Sequence, residues 1–440
     1  MKEVIDDSNW QRNYEDMNVI NYTENEEIMK KHILVISQYF YPENFRINDI
    51  CKEWVKKGYE VTVVTGIPNY PQGRFYKGYG LLKKRKEEYE GVNIIRLPIV
   101  SRGKGSIRLA LNYFSFVWSG LFWKTFTRVK ADKVFIFEVS PMTQALVGVW
   151  YAKRRKIPCT IYVQDLWPEN VEVVTGIKNK TIIETIDKMV NYIYKNCELI
   201  LATSPSFVKR LEERTSVYNK EGNSKVKYWP QYAEEFYKPV EKKDLEDLKI
   251  SNIFRVVFTG NIGYAQGLDI LPKAAEILKK ENVQCEFVII GDGRYREELE
   301  KEISERNVED MFLLLGRKKP EEIPGYLALC DAAFISFADN SLFEMTIPAK
   351  LQSYMACGMP ILAVAKGETK RIIEEAECGY VSTCGEIKGF SDTIEKMILF
   401  SDEKIYEICK NAEKYGMQNF SKVQLLKQIE TIFLQDSEEV

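Results

Sequence analysis

The sequence predicts an α/β protein built from two doubly wound, Rossmann-like domains that face each other across a cleft. Its 440 residues are more than one hydrophobic core usually holds. Short apolar runs alternate with amphipathic segments along most of the chain, which is typical of parallel sheets covered by helices on both faces. A stretch rich in proline, aromatic and charged residues interrupts this alternation at 229–252. We expect the boundary between the domains there.

Composition excludes several classes of protein. Hydrophobic residues make up 45% and charged residues 29% of the chain, as in soluble globular proteins. Lys and Arg number 62 against 64 Asp and Glu, so bulk charge argues against a nucleic-acid binder. The nine cysteines form no CxxC pair, which favours reduced thiols in a cytosolic protein over disulfides or zinc. No signal peptide or uninterrupted apolar stretch of about 20 residues is present.

The single histidine, His32, directly precedes the first predicted strand. A Ser-His-Asp triad or a site with several histidine ligands is therefore excluded, unless His32 itself acts. The simpler interpretation is a histidine at the edge of a strand.

The first half of the chain begins with a polar stretch, 1–31, that has no periodicity; we expect a disordered or misannotated leader. A first domain should then occupy 32–228. Residues 66–90 are too irregular for a regular element and suggest a functional or disordered loop. The predicted strands are 33–37, 60–65, 92–97, 133–138, 159–163 and 199–202, with helices at 46–57, 142–155, 180–195 and 205–214.

Residues 107–129 form the most apolar helical segment, and polar residues interrupt it too often for a membrane span. One interpretation is a helix buried in a large core. The other is an interfacial helix whose Trp118, Phe122 and Trp123 enter the headgroup region of a membrane.

The second domain should occupy 253–415, followed by a crossover helix within 416–440. The sequence predicts strands at 255–259, 285–290, 311–315, 332–337, 361–365 and 379–382. Helices are predicted at 267–280, 294–306, 320–330, 369–376, 386–399, 402–414 and 420–435.

A helix start in this second domain has the features of an anion site. In TIPAKLQSYMACGMPILA, 346–363, Pro348 suits the first position of a helix and Gly358 ends it. Lys350 in the first turn would add a positive charge beside the free N–H groups. The alternative is an ordinary turn between a strand and a helix, with a solvated lysine.

Two glycine-containing loops accompany that helix start. TGNIGYAQG at 259–267 follows a strand and opens a helix, and its glycines leave the backbone free to approach a ligand. Their spacing differs from GxGxxG, so the dinucleotide fingerprint is absent. GDG at 291–293 again follows a strand. With Lys350 these loops make a diphosphate and nucleoside pocket; ordinary strand-to-helix turns are the alternative.

Two segments of the first domain carry further candidates. YVQDLWPEN at 162–170 ends a strand, and its Asp165 could orient a hydroxyl group or face a developing cation. A helix-capping aspartate with a solvated Glu169 is the alternative. SQYFYPENFRIND at 37–49 follows the first strand. Its Arg46 could hold a phosphate or lie on the surface.

Six segments, taken in order, resemble glycosyltransferase family 4, the retaining enzymes of GT-B fold. The resemblance is strongest to the branch that contains the L-fucosamine transferases of bacterial O-antigen and capsule assembly, and it covers about 33–435. The segments are QYFYPENFRIND, GIPNYPQGRFY, YVQDLWPEN, FTGNIGYAQGLD, GDGRYREELE and PAKLQSYMACGMPI.

This resemblance implies a function. A nucleotide-sugar donor, UDP-linked, would bind the second domain, and a polyprenyl-diphosphate-linked saccharide would bind the first. An N-acetylated deoxy amino sugar would move between them with retention of configuration and without a metal ion, and no DxD motif is present. The enzyme would be cytoplasmic and peripherally attached to the inner face of the cytoplasmic membrane, with no nucleic-acid partner.

The resemblance also implies site residues. Asp165 matches the place where many members carry a cleft histidine. The family's Glu-x7-Glu positions are Met345 and Ser353 here, although Glu344 could replace the first. The expected catalytic residues are Asp165, Lys350 and Glu344. The expected acceptor-side residues are Glu43, Asn44, Arg46, Trp167 and Glu169. The expected donor-side residues are Gly260, Asn261, Gly263, Gln266, Gly291, Asp292, Gly293, Arg317, Pro348 and Ser353, of which Asn261 and Gln266 replace a usual arginine and lysine.

Two rival functions remain. A nucleotide-sugar epimerase of related fold would need histidine and paired carboxylates, which a cleft poor in histidine disfavours. A catalytically silent membrane-bound scaffold would suit the missing glutamates, but the intact loops at 259–267 and 348–350 argue against it.

Overall fold

The computed structural model describes residues 31–434, apart from residues 104, 172–175, 177–178 and 219–223. Within these residues the chain forms two sheets dominated by parallel strands, and each has helices on both faces. The predicted fold class is confirmed. The leader predicted at 1–31 lies, except for residue 31, outside the described residues.

The first sheet has eight strands in the order β3-β4-β2-β1-β5-β6-β7-β8, all parallel except β3, which runs antiparallel to β4. Two strands were not predicted. β3 has the sequence KEEY and only half-buried or exposed side chains, so it carries no apolar signal. The strands are β1 (His32–Ile36), β2 (Glu60–Gly66), β3 (Lys86–Tyr89), β4 (Val92–Leu97), β5 (Lys133–Glu138), β6 (Cys159–Val163), β7 (Leu199–Ala202) and β8 (Val226–Tyr228).

Five helices cover this sheet. α1 packs with the side of β1 that carries Ile33 and Val35, and the other four pack with the side that carries Leu34 and Ile36. The alternation along β1 therefore explains why both faces are covered. The helices are α1 (Arg46–Lys56), α2 (Ser106–Phe126), α3 (Ala145–Arg155), α4 (Lys180–Lys195) and α5 (Pro205–Thr215).

The position of β1 creates a crevice at the carboxyl edge of the sheet. β1 pairs with β2 on one side and with β5 on the other. The loops after β1 and β5 consequently diverge, which is where ligands bind in doubly wound folds.

The second sheet has six parallel strands in the order β11-β10-β9-β12-β13-β14. The strands are β9 (Phe254–Asn261), β10 (Cys285–Asp292), β11 (Phe312–Gly316), β12 (Ala332–Ser336), β13 (Ile361–Val364) and β14 (Gly379–Ser382). The helices are α6 (Ile270–Lys280), α7 (Arg296–Glu305), α8 (Ile323–Ala328), α9 (Ser341–Glu344), α10 (Ala349–Ala356), α11 (Gly367–Glu375), α12 (Ile387–Ile398) and α13 (Asp402–Asn419).

α6 begins three residues later than predicted. Gly267 has φ +56°, and a Cβ there would lie 3.1 Å from the carbonyl oxygen of Phe337. The left-handed conformation and this close approach keep Gly267 out of the helix, which starts at Ile270.

The last helix, α14 (Lys422–Ile429), returns to the first domain, as predicted. Its Leu425 and Ile429 belong to the same hydrophobic cluster as Trp54 of α1. The indole N–H of Trp229 donates a 2.8 Å hydrogen bond to the carbonyl oxygen of Leu425. α14 is therefore attached to the first domain, although it follows the second domain along the chain.

α2 lies on the surface of the first domain, so the interpretation as a helix buried in a large core is wrong. Its buried residues are Asn112, Phe116 and Gly120. A Cβ at Gly120 would lie 2.3 Å from the Val147 side chain, so this glycine lets α2 pack closely on α3.

The outward side of α2 is apolar. We call it the α2 stripe; its members are 48–77% exposed and are Ile107, Leu111, Phe114, Trp118, Phe122 and Phe126. Trp123 does not belong to it, because its ring stacks on Tyr151 at 5.5 Å. Among the described residues, no helix combines the length and the apolar character that crossing a membrane requires.

Candidate active site

The two glycine loops of the second domain join at the carboxyl edge of its sheet. Gly260 pairs with Gly291 across β9 and β10, and a Cβ at Gly291 would lie 1.8 Å from the carbonyl oxygen of Gly260. A Cβ at Gly293 would lie 2.2 Å from the carbonyl oxygen of Ile262. The backbone N–H of Ile262 in turn donates a hydrogen bond to the carbonyl oxygen of Asp292. Only glycine permits this contact, so the loops form one surface.

α10 points its first turn at that surface. The helix begins at Ala349, and Pro348 is the residue before it rather than its first member, because ψ of Pro348 is 138°. The hydroxyl of Tyr354 accepts a 2.9 Å hydrogen bond from the N–H of Thr259 and lies 3.1 Å from its Oγ1. This buried tyrosine fixes α10 to the end of β9.

The amino group of Lys350 lies in this pocket without a counter-ion. It donates a 2.6 Å hydrogen bond to the side-chain oxygen of Gln266 and lies 3.8 Å from the centre of the Phe258 ring. No carboxylate of the described residues pairs with it. Removal from water lowers the pKa of Lys350 to about 7. A bound anion would supply the negative charge that this group lacks.

The remaining donor-side candidates lie at different depths. Arg317 forms an exposed ion pair of 3.3 Å with Asp292, beside the exposed Asn261. Ser353 is buried, donates to the carbonyl oxygen of Ala349 at 3.3 Å and hydrogen-bonds with Tyr237. Its hydroxyl therefore takes part in packing α10 against the segment between the domains.

Glu344 ends the short helix α9 and is half-buried. A Cβ at Gly367 would lie 1.9 Å from the carbonyl oxygen of Glu344, so its backbone sits tightly against the start of α11. The next carbonyl oxygen, of Met345, accepts a 2.6 Å hydrogen bond from Ser204 of the first domain.

A second contact joins the facing carboxyl edges of the two domains. The N–H and hydroxyl of Ser206, at the start of α5, donate to the carboxylate of Glu368 at 2.8 and 2.6 Å. Glu368 lies in the first turn of α11 and is 5% exposed. The pocket of Lys350 and the crevice of the first domain thus open toward each other.

Asp165 lies at the end of β6 and is held by the end of β5. Its carboxylate accepts a 2.8 Å hydrogen bond from the N–H of Ser140, and its own N–H donates to Glu138 at 3.3 Å. Burial raises the pKa of Asp165. Trp167 donates to the hydroxyl of Ser140 at 3.2 Å, so it belongs to the same arrangement.

The other acceptor-side candidates make contacts that stabilise loops. Glu43 is buried, which raises its pKa to about 7, and it accepts hydrogen bonds from the N–H groups of Asn69 and Tyr70. Glu169 forms an ion pair of 2.8 Å with Arg210 of α5. Asn44 is exposed.

Arg46 turns toward the segment between the domains. It lies 3.3 Å from the carboxylate of Glu234, and its guanidinium lies 5.0 Å from the centre of the Tyr232 ring. Arg46 is therefore engaged with that segment, and its contact with a phosphate stays a prediction.

Two polar groups of the crevice, Glu138 and Arg102, were not predicted from the sequence. Glu138 is fully buried beneath Asp165, and its only sequence signal was its place at the end of a strand. The guanidinium of Arg102 lies 5.2 Å from the centre of the Tyr70 ring, and no described carboxylate pairs with it.

Tyr113 links α2 to this crevice. Burial raises the pKa of Tyr113, the charge of Arg102 lowers it and the charge of Asp165 raises it. The hydroxyl of Tyr113 therefore lies within electrostatic reach of both groups.

His32 lies at the opposite end of the sheet. Its ring nitrogens are 2.8 Å from the hydroxyl of Thr62 and from the carbonyl oxygen of Lys130. This agrees with the interpretation as a strand-edge residue. Across the described part of the chain, no three His, Cys, Asp or Glu side chains are grouped as metal ligands.

Comparison with protein families and relatives agrees with this arrangement. Residues 241–417 match the family model "Glycosyl transferases group 1". The "Probable glycosyltransferase WbjE" of Pseudomonas aeruginosa is 27% identical over 229 residues, 50% of this chain and 54% of that protein. The "Putative colanic acid biosynthesis glycosyl transferase WcaI" of Escherichia coli is 24% identical over 72% of this chain and 78% of that protein.

A third relative is a Campylobacter jejuni enzyme named N-acetylgalactosamine-N,N'-diacetylbacillosaminyl-diphospho-undecaprenol 4-alpha-N-acetylgalactosaminyltransferase. It is 24% identical over 54% of this chain and 60% of its own length. The chain thus matches little more than half the length of two of these three relatives. The predicted enzyme class, a glycosyltransferase, is confirmed for the matched region.

Solved structures of similar fold match most of the chain. Sucrose-phosphate synthase from Thermosynechococcus elongatus superposes with a TM-score of 0.71 and 15% identity, over 92% of this chain and 98% of that one. HepE of Anabaena, in complex with UDP and glucose, superposes with a TM-score of 0.65 and 17% identity, over 92% and 100%. The fold is GT-B.

Proposed function

We propose that this protein is a retaining glycosyltransferase of family 4. It moves a sugar from a nucleotide-sugar donor, UDP-linked, to a lipid-linked saccharide in surface polysaccharide biosynthesis, as in O-antigen or capsule assembly. The observation that carries the proposal is Lys350, whose amino group lies beside two joined glycine loops and has no counter-ion among the described residues.

The donor-side chemistry follows from that pocket. Breaking the bond between sugar and phosphate places negative charge on the departing diphosphate. The Lys350 ammonium and the backbone N–H groups of the glycine loops stabilise this charge, and such preorganised groups act strongly where water is excluded. Binding of UDP by the structural relative HepE supports a UDP-linked donor.

Asp165 serves the other half of the reaction. As the diphosphate leaves, the sugar carbon becomes cation-like, and a carboxylate fixed at the facing edge can oppose that charge or orient the acceptor hydroxyl. Residues of this chain supply these interactions without a metal ion. Glu344 contacts the donor sugar in place of the family's first glutamate.

The sugar and the pathway are finer points of the proposal. An N-acetylated deoxy amino sugar, such as L-fucosamine, suits the six motifs that run through the chain. The name of the WcaI relative, a putative colanic acid biosynthesis glycosyl transferase, supports a role in polysaccharide assembly.

The acceptor is a polyprenyl-diphosphate-linked saccharide at the inner face of the cytoplasmic membrane. The name of the Campylobacter relative contains a diphospho-undecaprenol acceptor, which supports this class of substrate. The α2 stripe supplies an apolar surface for the lipid phase. Tyr113 of α2 lies within electrostatic reach of both Arg102 and Asp165, and no carboxylate of the described residues pairs with Arg102. Tyr113 and Arg102 would lead the saccharide from the membrane to the cleft.

The test is UDP release from a panel of UDP-linked sugars, with bacterial membrane extract as acceptor. We expect one donor to give UDP release that depends on the extract and transfer of labelled sugar to the lipid fraction. Conversion of the nucleotide sugar without UDP release would instead indicate an epimerase. Tight UDP binding with no turnover on any donor would indicate a silent scaffold.

A further inference from the structure

Glu138 and Asp165 form a reciprocal clasp between neighbouring strand ends. Glu138 ends β5, and in the sheet register it lies opposite Val163, two residues before Asp165. Glu138 accepts the N–H of Asp165 at 3.3 Å, while Asp165 accepts the N–H of Ser140 at 2.8 Å. Each strand end therefore holds the backbone of the other through a carboxyl group.

The backbone strengthens this clasp. The carbonyl oxygen of Glu138 accepts a 2.9 Å hydrogen bond from Gln164, the residue before Asp165. The hydroxyl of Ser140 accepts hydrogen bonds from Trp167 and Asn170. These hydrogen bonds restrict the backbone conformation between the end of β6 and Trp167, and Glu138 supplies two of them.

Glu138 is fully buried, whereas acidic residues usually lie at the surface. The residue has no exposed surface, and its Oε1 has no hydrogen-bond partner among the described residues. Such a group is costly to bury, so it needs a structural or functional reason. Burial and the neighbouring charge of Asp165 both raise the pKa of Glu138. Both effects favour the uncharged form of the Glu138 carboxyl group.

We propose that Glu138 is a positioning residue for the transfer reaction: it holds the carboxylate of Asp165 in the cleft by accepting the Asp165 N–H. This rests on the role proposed for Asp165. This role requires a hydrogen-bond acceptor at position 138, so Glu138→Gln should preserve it, whereas the apolar Glu138→Leu removes it at similar volume.

The experiment compares these variants at saturating donor, using the sugar identified by the panel. We expect Glu138→Gln to keep kcat within about threefold, and Glu138→Leu to lower kcat roughly 10–100-fold with donor KM and UDP affinity unchanged. Should Glu138→Leu fold poorly, Glu138→Met, which is unbranched, replaces it. Thermal unfolding verifies the fold of each variant.

Combining the substitutions with Asp165→Ala separates the two roles. If Glu138 acts through Asp165, Glu138→Leu has no further effect on kcat in the Asp165→Ala background. Multiplied losses in the double variant would overturn the proposal, as would full kcat in Glu138→Leu. A fall in Glu138→Gln as large as in Glu138→Leu would assign a proton-transfer role instead. Full activity of Asp165→Ala would reject the function of Asp165 itself, a distinguishable failure.

Crystal structures of the variants give a measure that needs no substrate. In Glu138→Gln the hydrogen bond between Ser140 and Asp165 should persist. In Glu138→Leu we expect the Asp165 carboxylate to leave that position, and an unchanged Asp165 there would contradict the proposed role.

Discussion

The amino group of Lys350 lies 2.6 Å from the side-chain oxygen of Gln266, and this amide is its only hydrogen-bond partner among the described residues. An amide oxygen carries a partial charge, so it leaves the cation largely uncompensated. A diphosphate could take its place. The resemblance to family 4 places Gln266 where members of that family usually carry a lysine, so we infer that Lys350 supplies most of the positive charge of the pocket.

Removing this charge should damage catalysis more than folding. We expect Lys350→Ala to lower kcat roughly 10²–10³-fold, the usual effect of losing one group that stabilises a developing anion. UDP release at saturating donor measures it. The matched control is Lys301→Ala on α7, whose side chain is 72% exposed. Turnover of Lys350→Ala equal to that of Lys301→Ala would remove Lys350 from the mechanism.

UDP affinity should depend on pH through the same residue. The pKa of Lys350 is about 7 in the ligand-free protein, and a bound diphosphate raises it by favouring the charged form. Binding above that pH therefore takes up a proton, and the Kd of UDP should rise up to about tenfold per pH unit. Calorimetric titration of UDP from pH 6.5 to 9 measures this rise, and Lys350→Met should lack it.

The stability of the ligand-free protein should have the opposite dependence. Because the folded-state pKa of Lys350 is about 7, below its unfolded value of about 10.4, the unfolded chain binds the extra proton between those values. The free energy of unfolding should thus increase as pH rises from 7 to 10, relative to Lys350→Met. An identical pH dependence of denaturant midpoints in both proteins would contradict the lowered pKa.

Asp165 and Glu169 lie in the same segment, 162–170, but we expect Asp165 to act in catalysis and Glu169 to stabilise the fold. We expect Asp165→Ala to lower kcat at least about 10²-fold while UDP affinity stays unchanged. Glu169→Gln breaks the ion pair with Arg210 and should cost about 1 kcal/mol of stability with kcat nearly preserved. Kinetics and thermal unfolding of both variants test this contrast; the reverse pattern would exchange their roles.

Membrane binding should depend on the α2 stripe and not on its inward-facing neighbour. Trp118→Ser with Phe122→Ser should weaken binding to vesicles containing anionic lipid at least tenfold, since each apolar side chain contributes about 1.5–3 kcal/mol when fully buried. Trp123→Ser should instead lower thermal stability, because Trp123 stacks on Tyr151. Vesicle co-sedimentation measures binding. Equal binding by the double variant and the wild-type protein would exclude the stripe as a membrane contact.

The returning helix α14 should be held by Lys422. Its amino group lies 3.2 Å from Asp49 and Glu53 of the first domain and 2.9 Å from Glu235, with a side chain that is 9% exposed. Lys422→Met leaves these carboxylates without their cation and should cost about 2 kcal/mol, a value reduced for their partial exposure. Denaturant unfolding measures the cost, with the exposed Lys414→Met as control. An equal loss of unfolding free energy in Lys422→Met and Lys414→Met would contradict the role of Lys422 in holding α14.

Strands and most helices could be predicted from the sequence because their signals are local. β5 and β6 are apolar runs of ordinary strand length, and α1 shows helical spacing. β3 could not be predicted, since the antiparallel partner that stabilises it, rather than its own side chains, makes it a strand. The exposure of α2 also depends on tertiary packing, which an apolar composition alone does not reveal.

Site residues could likewise be predicted where their signal is local in the sequence. Lys350 and the glycine loops were predictable because helix starts and glycines carry a local signal. The partners of a carboxylate depend on which strands are neighbours, so neither the clasp of Glu138 with Asp165 nor the ion pair of Glu169 with Arg210 could be predicted. Glu43 was a plausible ligand by sequence, yet its carboxylate binds the backbone of Asn69 and Tyr70.

The central claim is that the second domain binds the diphosphate of the donor at Lys350. A crystal structure of the protein with UDP tests it most directly. We predict that the diphosphate lies between the loop of Gly260 and Gly263 and the first turn of α10, with the Lys350 amino group within hydrogen-bond distance of a phosphate oxygen. A diphosphate bound elsewhere, with Lys350 still donating to Gln266, would contradict the account.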